Sequence, residues 1–480
     1  MNILYAVAEA YPFVHTGGLG EVAYALPKAL REMGEDIRVI LPFYNFKDER
    51  CRRRKKLADY ETYIGWRKVP CTLSILELKD ITYYFIENPY YFHREGPYGY
   101  YDDGERFVYF SKAVLEGIKY LKNFVPDILH CNDWHTALMI PLKDAYYGGV
   151  EPYKSIRTLY TIHNMLFQGN YGKEAMDMLG LPEEEYYTED FFKHHGGVSF
   201  MKGALVSADI ISTVSKSYSQ EITRAYYAYG LEEVIQKRKK DLYGILNGID
   251  YEDYNPETNT ELYYNYSKNN PELKGKNKLR LQQELGLEVG EDIPLIAIIS
   301  RLSSQKGIDL IEELMPELMK EKLQLIVVGG GHESYENMFQ YYSSKYPEKV
   351  AVKIPFNRSF SKKVYGSSDM LLMPSQFEAC GIGQLIAMRY GTVPIVRKVG
   401  GLKDTVKSYD EYRNTGNGFV FAEYNSQELF HELKRALRCY NNKELWKEIV
   451  VKNMDLNHTW TASAKEYLHL YKSLLEEKII

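Results

Sequence analysis

Short apolar runs alternate with amphipathic segments along the first half of the chain. The runs at residues 3–9 (ILYAVAE) and 37–44 (IRVILPFY) have the length and the apolar character of buried β-strands. Between them, apolar residues recur at the spacing of one helix face: Val22, Leu26, Ala29, Leu30 and Met33. Pro27 interrupts this helix, so we expect a kink there or a position near the first turn.

The same alternation continues to the end of the chain. Segments 127–133 (DILHCND), 158–164 (TLYTIHN) and 208–215 (ADIISTVS) each predict a strand that ends in polar residues. Segment 251–276 is rich in Asn, Pro and Tyr without periodicity, which predicts a loop crossing between domains. Further strands are predicted at 294–300 (PLIAIIS), 323–331 (LQLIVVGGG), 350–355 (VAVKIP), 369–375 (DMLLMPS) and 392–396 (TVPIV). The last segment predicts an amphipathic helix with Tyr467, Leu468, Tyr471, Leu474 and Leu475 on one side.

This βα alternation predicts an α/β protein with two tandem Rossmann-like, doubly wound domains. We expect the N-terminal domain at residues 1–245, the C-terminal domain at 246–457, and a C-terminal helix at 458–480 that packs back on the N-terminal domain. The two domains should face each other across a deep cleft at the carboxyl ends of both sheets, where such sheets bind their ligands.

Composition narrows the choice of partners. The chain has 480 residues and a net charge of −5, which gives no reason to expect nucleic acid or a membrane surface as partner. Five scattered cysteines without a CxxC pair argue against disulfides and a structural zinc site. We expect a cytoplasmic protein, because no signal core or membrane-length apolar run is present. The basic run at 52–56 (RRRKK) is expected to be a solvated surface.

The segment FVHTGGLGEV at 13–22 leaves the first strand through a glycine pair. Its GLGEVA part fits the dinucleotide pattern GxGxxA, but that pattern needs an acid at the tip of the second strand, and LPFYNF at 41–46 has none. We therefore reject a dehydrogenase. Exposed amides before a helix still favour an anion such as phosphate.

Two segments of the second half offer matching chemistry. SRLSSQKG places Arg301 just after a strand and Lys306 just before a helix, so that both cations can converge on a diphosphate. PSQFEACGIGQ places Glu378 before a helix that we expect to begin at about Gly381. Glu378 can accept hydrogen bonds from sugar hydroxyls, and the amides of residues 380–383 form a second anion seat.

With these motifs the chain resembles the bacterial glycogen (starch) synthases, which are retaining glucosyltransferases of the GT-B fold. The resemblance runs nearly from end to end. It rests on HTGGLGEV at 15–22, HCNDWHTAL at 130–138, TIHNMLFQG at 161–169, TVSKSYSQEI at 213–222, LNGID at 246–250, SRLSSQKG at 300–307, PSQFEACGIGQL at 375–385, VRKVGGLKDTV at 396–406 and the region of Trp460.

The resemblance implies transfer of glucose from ADP-glucose to the non-reducing end of an α-1,4-glucan, with no metal or other cofactor. It implies catalytic roles for Glu378, Arg301, Lys306, His163 and Asp133. It implies donor binding by His15, Gly17, Gly18, Asn164, Asn247, Phe356, Cys380, Gly381, Ile382 and Gly383. Trp134 and His135 correspond to the wall of the acceptor cleft, or are simply packed residues.

His15 departs from the family pattern, which has a lysine there. An ordinary histidine is mostly neutral at pH 7, although a nearby diphosphate would favour its charged form. We therefore expect His15 to replace the lysine only in part. Two alternatives stay open: a GT-B transferase that uses UDP-glucose or another acceptor, and a glucan-binding homologue with a weak donor site.

Overall fold

In the computed structural model, the structure describes residues 1–14, 16–44, 46 and 48–476. The chain forms two compact units, one made of Met1–Asn247 with Trp460–Ile480 and the other of Gly248–Thr459. The expected boundaries, after residues 245 and 457, each lie two residues earlier. Within the described residues, no helix is both long and apolar enough to cross a membrane.

The first unit is built on a mainly parallel sheet. Its strands are β1 Asn2–Ala6, β2 Asp36–Pro42, β3 Lys55–Ile64, β4 Arg67–Leu78, β5 Ile81–Glu87, β6 Ile128–Asn132, β7 Arg157–Ile162, β8 Asn170–Tyr171, β9 Lys193–His194, β10 Gly197–Ser199, β11 Ile210–Thr213 and β12 Leu242–Gly244. The main sheet has the order β12-β11-β7-β6-β1-β2-β5-β4-β3, whereas β8, β10 and β9 form a small separate sheet. The first seven strands in this order, from β12 through β1 to β5, pair in parallel. At the end of the sheet, β4 pairs antiparallel with β5, and β3 pairs antiparallel with β4.

Helices flank this sheet, and the first of them corrects one expectation. They are α1 Gly18–Glu32, α2 Pro89–Phe92, α3 Asp103–Gly117, α4 Trp134–Ala137, α5 Met139–Tyr147, α6 Ala175–Leu179, α7 Glu183–Tyr186, α8 Phe200–Ser207, α9 Lys216–Glu221, α10 Ala225–Ala228 and α11 Glu232–Lys237. Short 3₁₀ turns lie at Glu49–Arg53, Ile118–Tyr120, Tyr153–Ser155 and Lys239–Asp241. Of the two alternatives for Pro27, a kink or a position near the first turn, the second is wrong, because Pro27 lies in the interior of α1, where its ring is buried. The apolar contacts of the helix therefore outweigh the backbone hydrogen bond that proline cannot donate.

The basic run at 52–56 behaves as a solvated surface. Arg52 pairs with Glu49, and Lys56 pairs with Asp59. Arg54 pairs with Glu87 across the sheet edge. Three of the five positive charges are thus matched by a local acid, and Arg53 and Lys55 are exposed to solvent.

The second unit is a parallel sheet in the order β15-β14-β13-β16-β17-β18. Its strands are β13 Leu295–Ile299, β14 Gln324–Val328, β15 Val350–Lys353, β16 Met370–Met373, β17 Val393–Arg397 and β18 Phe419–Phe421. Its helices are α12 Glu272–Leu285, α13 Ile308–Leu318, α14 Glu333–Lys345, α15 Arg358–Ser367, α16 Gly383–Arg389, α17 Gly400–Thr405, α18 Ser426–Asn441 and α19 Lys443–Asp455, with a 3₁₀ turn at Ser304–Lys306.

The prediction that residues 251–276 form a loop crossing between domains was wrong. The segment belongs entirely to the second unit. Tyr254, Leu262 and Tyr266 are buried in the core of that unit, and α12 begins before the predicted loop ends. Aromatic burial therefore fixes a segment that its polar residues and prolines suggested was a linker.

The C-terminal helix α20, Trp460–Glu476, packs against α1 in the first unit. Tyr467 and Tyr471 are buried in its core. The Tyr471 hydroxyl also lies 2.8 Å from Nδ1 of His130 on β6. The chain thus returns to the unit where it began.

Candidate active site

In the second unit, the expected site residues follow the carboxyl ends of neighbouring strands. Arg301 follows β13, Phe356 follows β15 and Glu378 follows β16, and these strands lie side by side with β14 in the sheet. Carboxyl ends of parallel strands are where open α/β sheets bind ligands. The sheet therefore gathers these side chains at one edge.

The centre of this edge is an ion pair between Lys306 and Glu378. Lys306 Nζ lies 2.6 Å from Glu378 Oε2, and the Ser375 hydroxyl donates to the same oxygen at 3.1 Å. Glu378 is only 8% exposed. Within the described part of the chain, its other carboxylate oxygen accepts no hydrogen bond, so that oxygen is open to a ligand hydroxyl. The pairing neutralises a buried carboxylate and a half-buried ammonium group that could each bind part of a sugar phosphate.

Two loops are held together to make this pair. The Gln376 amide donates to the carbonyl of Gln305 at 2.9 Å. Gly307 has a φ of +75°, and a Cβ atom there would lie 2.2 Å from the carbonyl oxygen of Pro374. A side chain at position 307 would force the loops apart, because both its conformation and its space require glycine.

Arg301 is exposed, and among the described residues its side chain has no hydrogen-bonding or ion-pair partner. Its loop is packed against the glycines that follow β14. A Cβ atom on Gly329 would lie 1.9 Å from the carbonyl oxygen of Ser300, and one on Gly331 would lie 2.2 Å from that of Leu302. The sequence assigned these glycines to the strand, which in fact ends at Val328. Their role is to let the Arg301 loop approach closely.

The expected anion seat at residues 380–383 has a different geometry from the prediction. Helix α16 begins at Gly383, and not at Gly381, because Gly381 has a left-handed φ of +71°. Cys380 is buried, Ile382 is half-buried, and the Gln384 side chain donates to the carbonyls of Cys380 and Gly381 at 3.1 and 2.9 Å. The loop is thus fixed from inside by Gln384.

Phe356 presents an exposed ring next to this edge. Its side chain is 49% exposed, and it precedes α15, whose first turn is capped by the Asn357 side chain. An aromatic ring left in solvent beside a polar site provides a surface for stacking a base.

In the first unit, Asp133 has the most strained backbone near the expected site. It follows β6 with φ 57° and ψ −179°, a region that is used almost only by glycine. One oxygen of its carboxylate accepts from the amide of His163 at 2.7 Å and from that of Asn164 at 3.4 Å. Burial raises the pKa of Asp133 to about 7, because it outweighs these amide bonds, and the nearby Glu9 adds to the increase. A buried, strained acid with a perturbed pKa is typical of a functional residue.

His163 is neutral and held by its ring. Burial lowers the pKa of His163 to about 3. Its Nε2 lies 2.9 Å from Oδ1 of Asn132, which also accepts from the Tyr5 hydroxyl. The amide oxygen requires a proton on Nε2, so the other ring nitrogen is the acceptor. Asn132 and Asp133 together fix the ring and the main chain of His163.

The glycine pair at the start of α1 is not explained by packing. Gly17 is extended, and a Cβ atom on Gly17 or Gly18 would meet no described atom within 4 Å. The preceding Thr16 donates its amide and its hydroxyl to the Glu9 carboxylate at 2.7 and 2.9 Å. Open space at both glycines is what close approach of a ligand needs. His15 lies outside the described residues.

Glu9 is the residue that sequence analysis missed here. It is 3% exposed, and it lies close enough to Asp133 to affect its pKa. A single acid in an otherwise apolar first strand segment was the available signal. Its carboxylate accepts two hydrogen bonds from Thr16 in the loop before Gly17, and its charge acts on Asp133.

Four expected site residues remain: Trp134, His135, Asn164 and Asn247. Trp134 and His135 are buried in an aromatic cluster with Phe107, so of the two readings for them the structure favours packed residues. The Asn164 side chain accepts from the amide of Leu166. Asn247 is 8% exposed, and its Oδ1 has no partner in the described structure. Nor do the described residues contain a group of three or more His, Cys, Asp and Glu arranged to hold a metal ion.

Comparisons with known proteins identify the family. Residues 2–237 match the family described as starch synthase catalytic domain, and residues 283–452 match glycosyl transferases group 1. A glycogen synthase of Clostridium novyi is 48% identical, with 99% of this chain and all of that protein covered. One of Clostridium acetobutylicum is 47% identical over the same shares.

A solved structure is similar over the same length. The catalytic domain of starch synthase IV from Arabidopsis thaliana, bound to ADP and acarbose, has a TM-score of 0.93 and 32% identity, with 99% of both chains covered. The two Rossmann-like units are therefore those of a GT-B glycosyltransferase. The chain belongs to the glycogen synthase family of glycosyltransferases.

Proposed function

We propose that this protein transfers glucose from ADP-glucose to the non-reducing 4-hydroxyl of an α-1,4-glucan with retention of configuration. The observation that carries the proposal is the Lys306–Glu378 pair, which joins the segments after two neighbouring strands, with Arg301 in the same segment as Lys306. The similar starch synthase was solved with ADP, which supports adenine as the base. We further propose that the protein acts in the cytoplasm.

Arg301 and Lys306 act on the leaving group. As the bond between the anomeric carbon and the phosphate oxygen breaks, the diphosphate gains negative charge. Fixed cations at that point stabilise the transition state more than the ground state. Arg301 is available without breaking an existing bond, whereas Lys306 is already oriented by Glu378. Gly17 and Gly18 contribute backbone amides to the phosphates.

Glu378 and the first unit act on the sugar. Glu378 accepts a hydrogen bond from a glucose hydroxyl through its open oxygen, and the carbonyl of His163 offsets positive charge on the anomeric carbon. Asp133 and Asn132 hold His163 in that position. The acceptor oxygen bonds to the anomeric carbon on the face that the diphosphate leaves, and the acceptor proton passes to the leaving phosphate oxygen. No carboxylate is needed as a covalent nucleophile.

The reaction is proposed to need no metal, because Arg301 and Lys306 supply the positive charge that a metal would supply to the diphosphate.

The test is incorporation of label into glycogen from ADP-[¹⁴C]glucose or UDP-[¹⁴C]glucose, with and without EDTA. We expect label from ADP-glucose in both conditions. Faster labelling from UDP-glucose would overturn the proposed donor, and loss of labelling in EDTA would overturn the metal-free mechanism. Absence of label from either donor, with glycogen still bound, would show a glucan-binding protein instead.

The proposed role of His15 in donor binding predicts how ADP-glucose affinity depends on pH. We expect ADP-glucose affinity of the native enzyme to fall by about tenfold between pH 6 and pH 8.5, because His15 loses its charge over this range. His15→Lys should bind more tightly at pH 8.5 and show a flatter profile, since lysine stays charged. Equilibrium binding of ADP-glucose by both proteins checks this, and parallel profiles would refute it.

A further inference from the structure

One face of the first unit's sheet carries buried polar side chains where a parallel sheet normally carries apolar ones. They lie on four adjacent strands: Tyr5 on β1, His130 and Asn132 on β6, Thr161 on β7 and Ser212 on β11. The strand register places all five on the same face, and all are completely buried. Burial of a polar group costs free energy unless the group is hydrogen-bonded. Five such groups together indicate that this face has a role beyond packing.

Hydrogen bonds join three of these residues to Tyr471 of the C-terminal helix α20. His130 Nδ1 lies 2.8 Å from the Tyr471 hydroxyl, and His130 Nε2 lies 2.6 Å from Thr161 Oγ1. Thr161 Oγ1 lies 2.6 Å from Ser212 Oγ. The His130 ring is neutral, because burial lowers its pKa well below the ordinary value, so one ring nitrogen donates and the other accepts. Both nitrogens are bonded, and the bonds fix the orientation of the ring.

This network ends at the groups that hold His163. The Thr161 carbonyl accepts from the amide of Asp133 at 2.9 Å, and the Asp133 carboxylate accepts from the amide of His163. Beside it, Asn132 Oδ1 accepts from the Tyr5 hydroxyl at 3.0 Å and from His163 Nε2 at 2.9 Å. The polar face therefore supports both the main chain and the ring of His163.

The C-terminal helix covers the His130 ring. The ring centroids of Tyr467 and Tyr471 lie 5.7 and 5.9 Å from that of His130, and the Tyr5 ring meets it edge-on at 4.7 Å. Closely packed interiors transmit a displacement rather than absorb it. The orientation of His130 thus depends on Tyr471, which lies 341 positions later in the chain.

We propose that Tyr471 is a positioning residue for glucose transfer, which acts through His130 and Thr161 on the carboxyl end of β7. His163 follows this strand directly, and the Asp133 amide is bonded to it. The inference rests on the proposed function, which places the His163 carbonyl beside the anomeric carbon. A small shift of that carbonyl weakens stabilisation of the transition state while ADP-glucose binding stays almost unchanged.

The experiment uses the full chain and the variant Tyr471→Phe, which removes only the hydroxyl. Leu474→Ala is the matched control, because Leu474 is buried on the same helix but forms none of these hydrogen bonds. Urea unfolding of each variant identifies conditions in which it is folded, and kcat and KM are then measured with ADP-glucose and glycogen. We expect Tyr471→Phe to lower kcat about tenfold with KM for ADP-glucose near native, whereas Leu474→Ala should lose stability but keep kcat near native.

A double variant tests whether the effect passes through His130. Thr161→Val removes the hydroxyl on the other side of the ring at almost constant volume, and it should also lower kcat. If Tyr471 and Thr161 act through one network, the double variant should lose about as much kcat as Thr161→Val alone, whereas independent effects would multiply.

Three results would overturn the inference: native kcat in Tyr471→Phe, equal loss of kcat in Tyr471→Phe and Leu474→Ala, or losses that multiply in the double variant. If Tyr471→Phe does not fold, Thr161→Val decides alone, and native kcat in that variant would overturn the inference. If the native protein transfers no glucose from ADP-glucose, the proposed function fails and this inference fails with it. Transfer by the native protein with unchanged variants refutes only the role of Tyr471.

Discussion

Neutralising Arg301 and Lys306 together, as Arg301→Gln with Lys306→Met, should reduce kcat for glucose transfer by at least ~10⁴-fold, since removing one charge-stabilising group alone costs roughly 10²–10³. The reason is that the diphosphate would leave without a fixed cation beside it. The loss should appear in kcat more than in KM, because the charge on the leaving oxygens is largest in the transition state.

A matched control separates this effect from a general loss of positive charge. Arg413→Gln with Lys322→Met removes the same two charges from exposed positions of the same unit. Both double variants should be assayed with ADP-glucose and glycogen, and their folding checked by urea unfolding. If the Arg301/Lys306 variant is folded and keeps more than about a tenth of native kcat, the role of these residues in the transition state is wrong.

Most of the parallel strands were predictable because they are buried on both faces and so read as continuous apolar runs, but β5, β12 and β18 were not predicted. Residues 295–299 and 324–328 are such apolar runs, and the predicted strands cover both, although the second prediction ran three residues past Val328. The edge strand β3, by contrast, reads KKLADYETYI and is mostly exposed. The sequence of β3 is polar because the strand is exposed to water. A search for apolar runs therefore misses β3 and also its partner β4.

The sequence predicted which charged residues follow the strands, but not which of them contact each other. Arg301, Lys306 and Glu378 were chosen as cation and acid positions after strands. The contact between Lys306 and Glu378 joins residues 72 positions apart, and it depends on Gly307 fitting under Pro374. Only the folded backbone brings those two loops together.

The backbone conformation and the pKa of Asp133 could likewise not be predicted from the sequence. Its sequence position identified it, but nothing in HCNDWH encodes a φ of 57° or the proximity of Glu9. Glu9 comes close because it follows β1, which pairs with β6, and the Asp133 amide is held by the carbonyl of Thr161 on β7 at 2.9 Å. The unusual pKa of Asp133 is therefore a property of the fold.

Replacing Asp133 by Asn should stabilise the protein at alkaline pH while it lowers activity. Burial raises the pKa of Asp133 from its ordinary value of 3.8 to about 7 in the folded state. A folded-state pKa above the unfolded one means that stability is full below about pH 4, falls as the pH rises, and is lost above about pH 7. Such a difference corresponds to at most ~4 kcal/mol at pH 8.5.

Asn keeps the oxygen that accepts from the amide of His163 but carries no charge at any pH. The free energy of unfolding of Asp133→Asn, relative to native, should thus be smallest below about pH 4 and increase toward pH 8.5. Urea unfolding at several pH values measures it. The same variant should lower kcat by about tenfold, because a neutral amide oxygen holds the main chain of His163 more weakly than a carboxylate oxygen does.

Asp253 provides a control, because its substitution by Asn should change the stability in the opposite direction. Burial alone would raise the pKa of Asp253, but the hydrogen bonds and charges of Arg358 and Lys362 outweigh it and lower that pKa. Asp253→Asn should therefore destabilise the protein at neutral pH, with the effect fading as the pH falls, and should leave kcat near native. If both variants change stability with the same sign above pH 7, the buried carboxylate of Asp133 is not a source of instability, and its role as a strained functional acid is wrong.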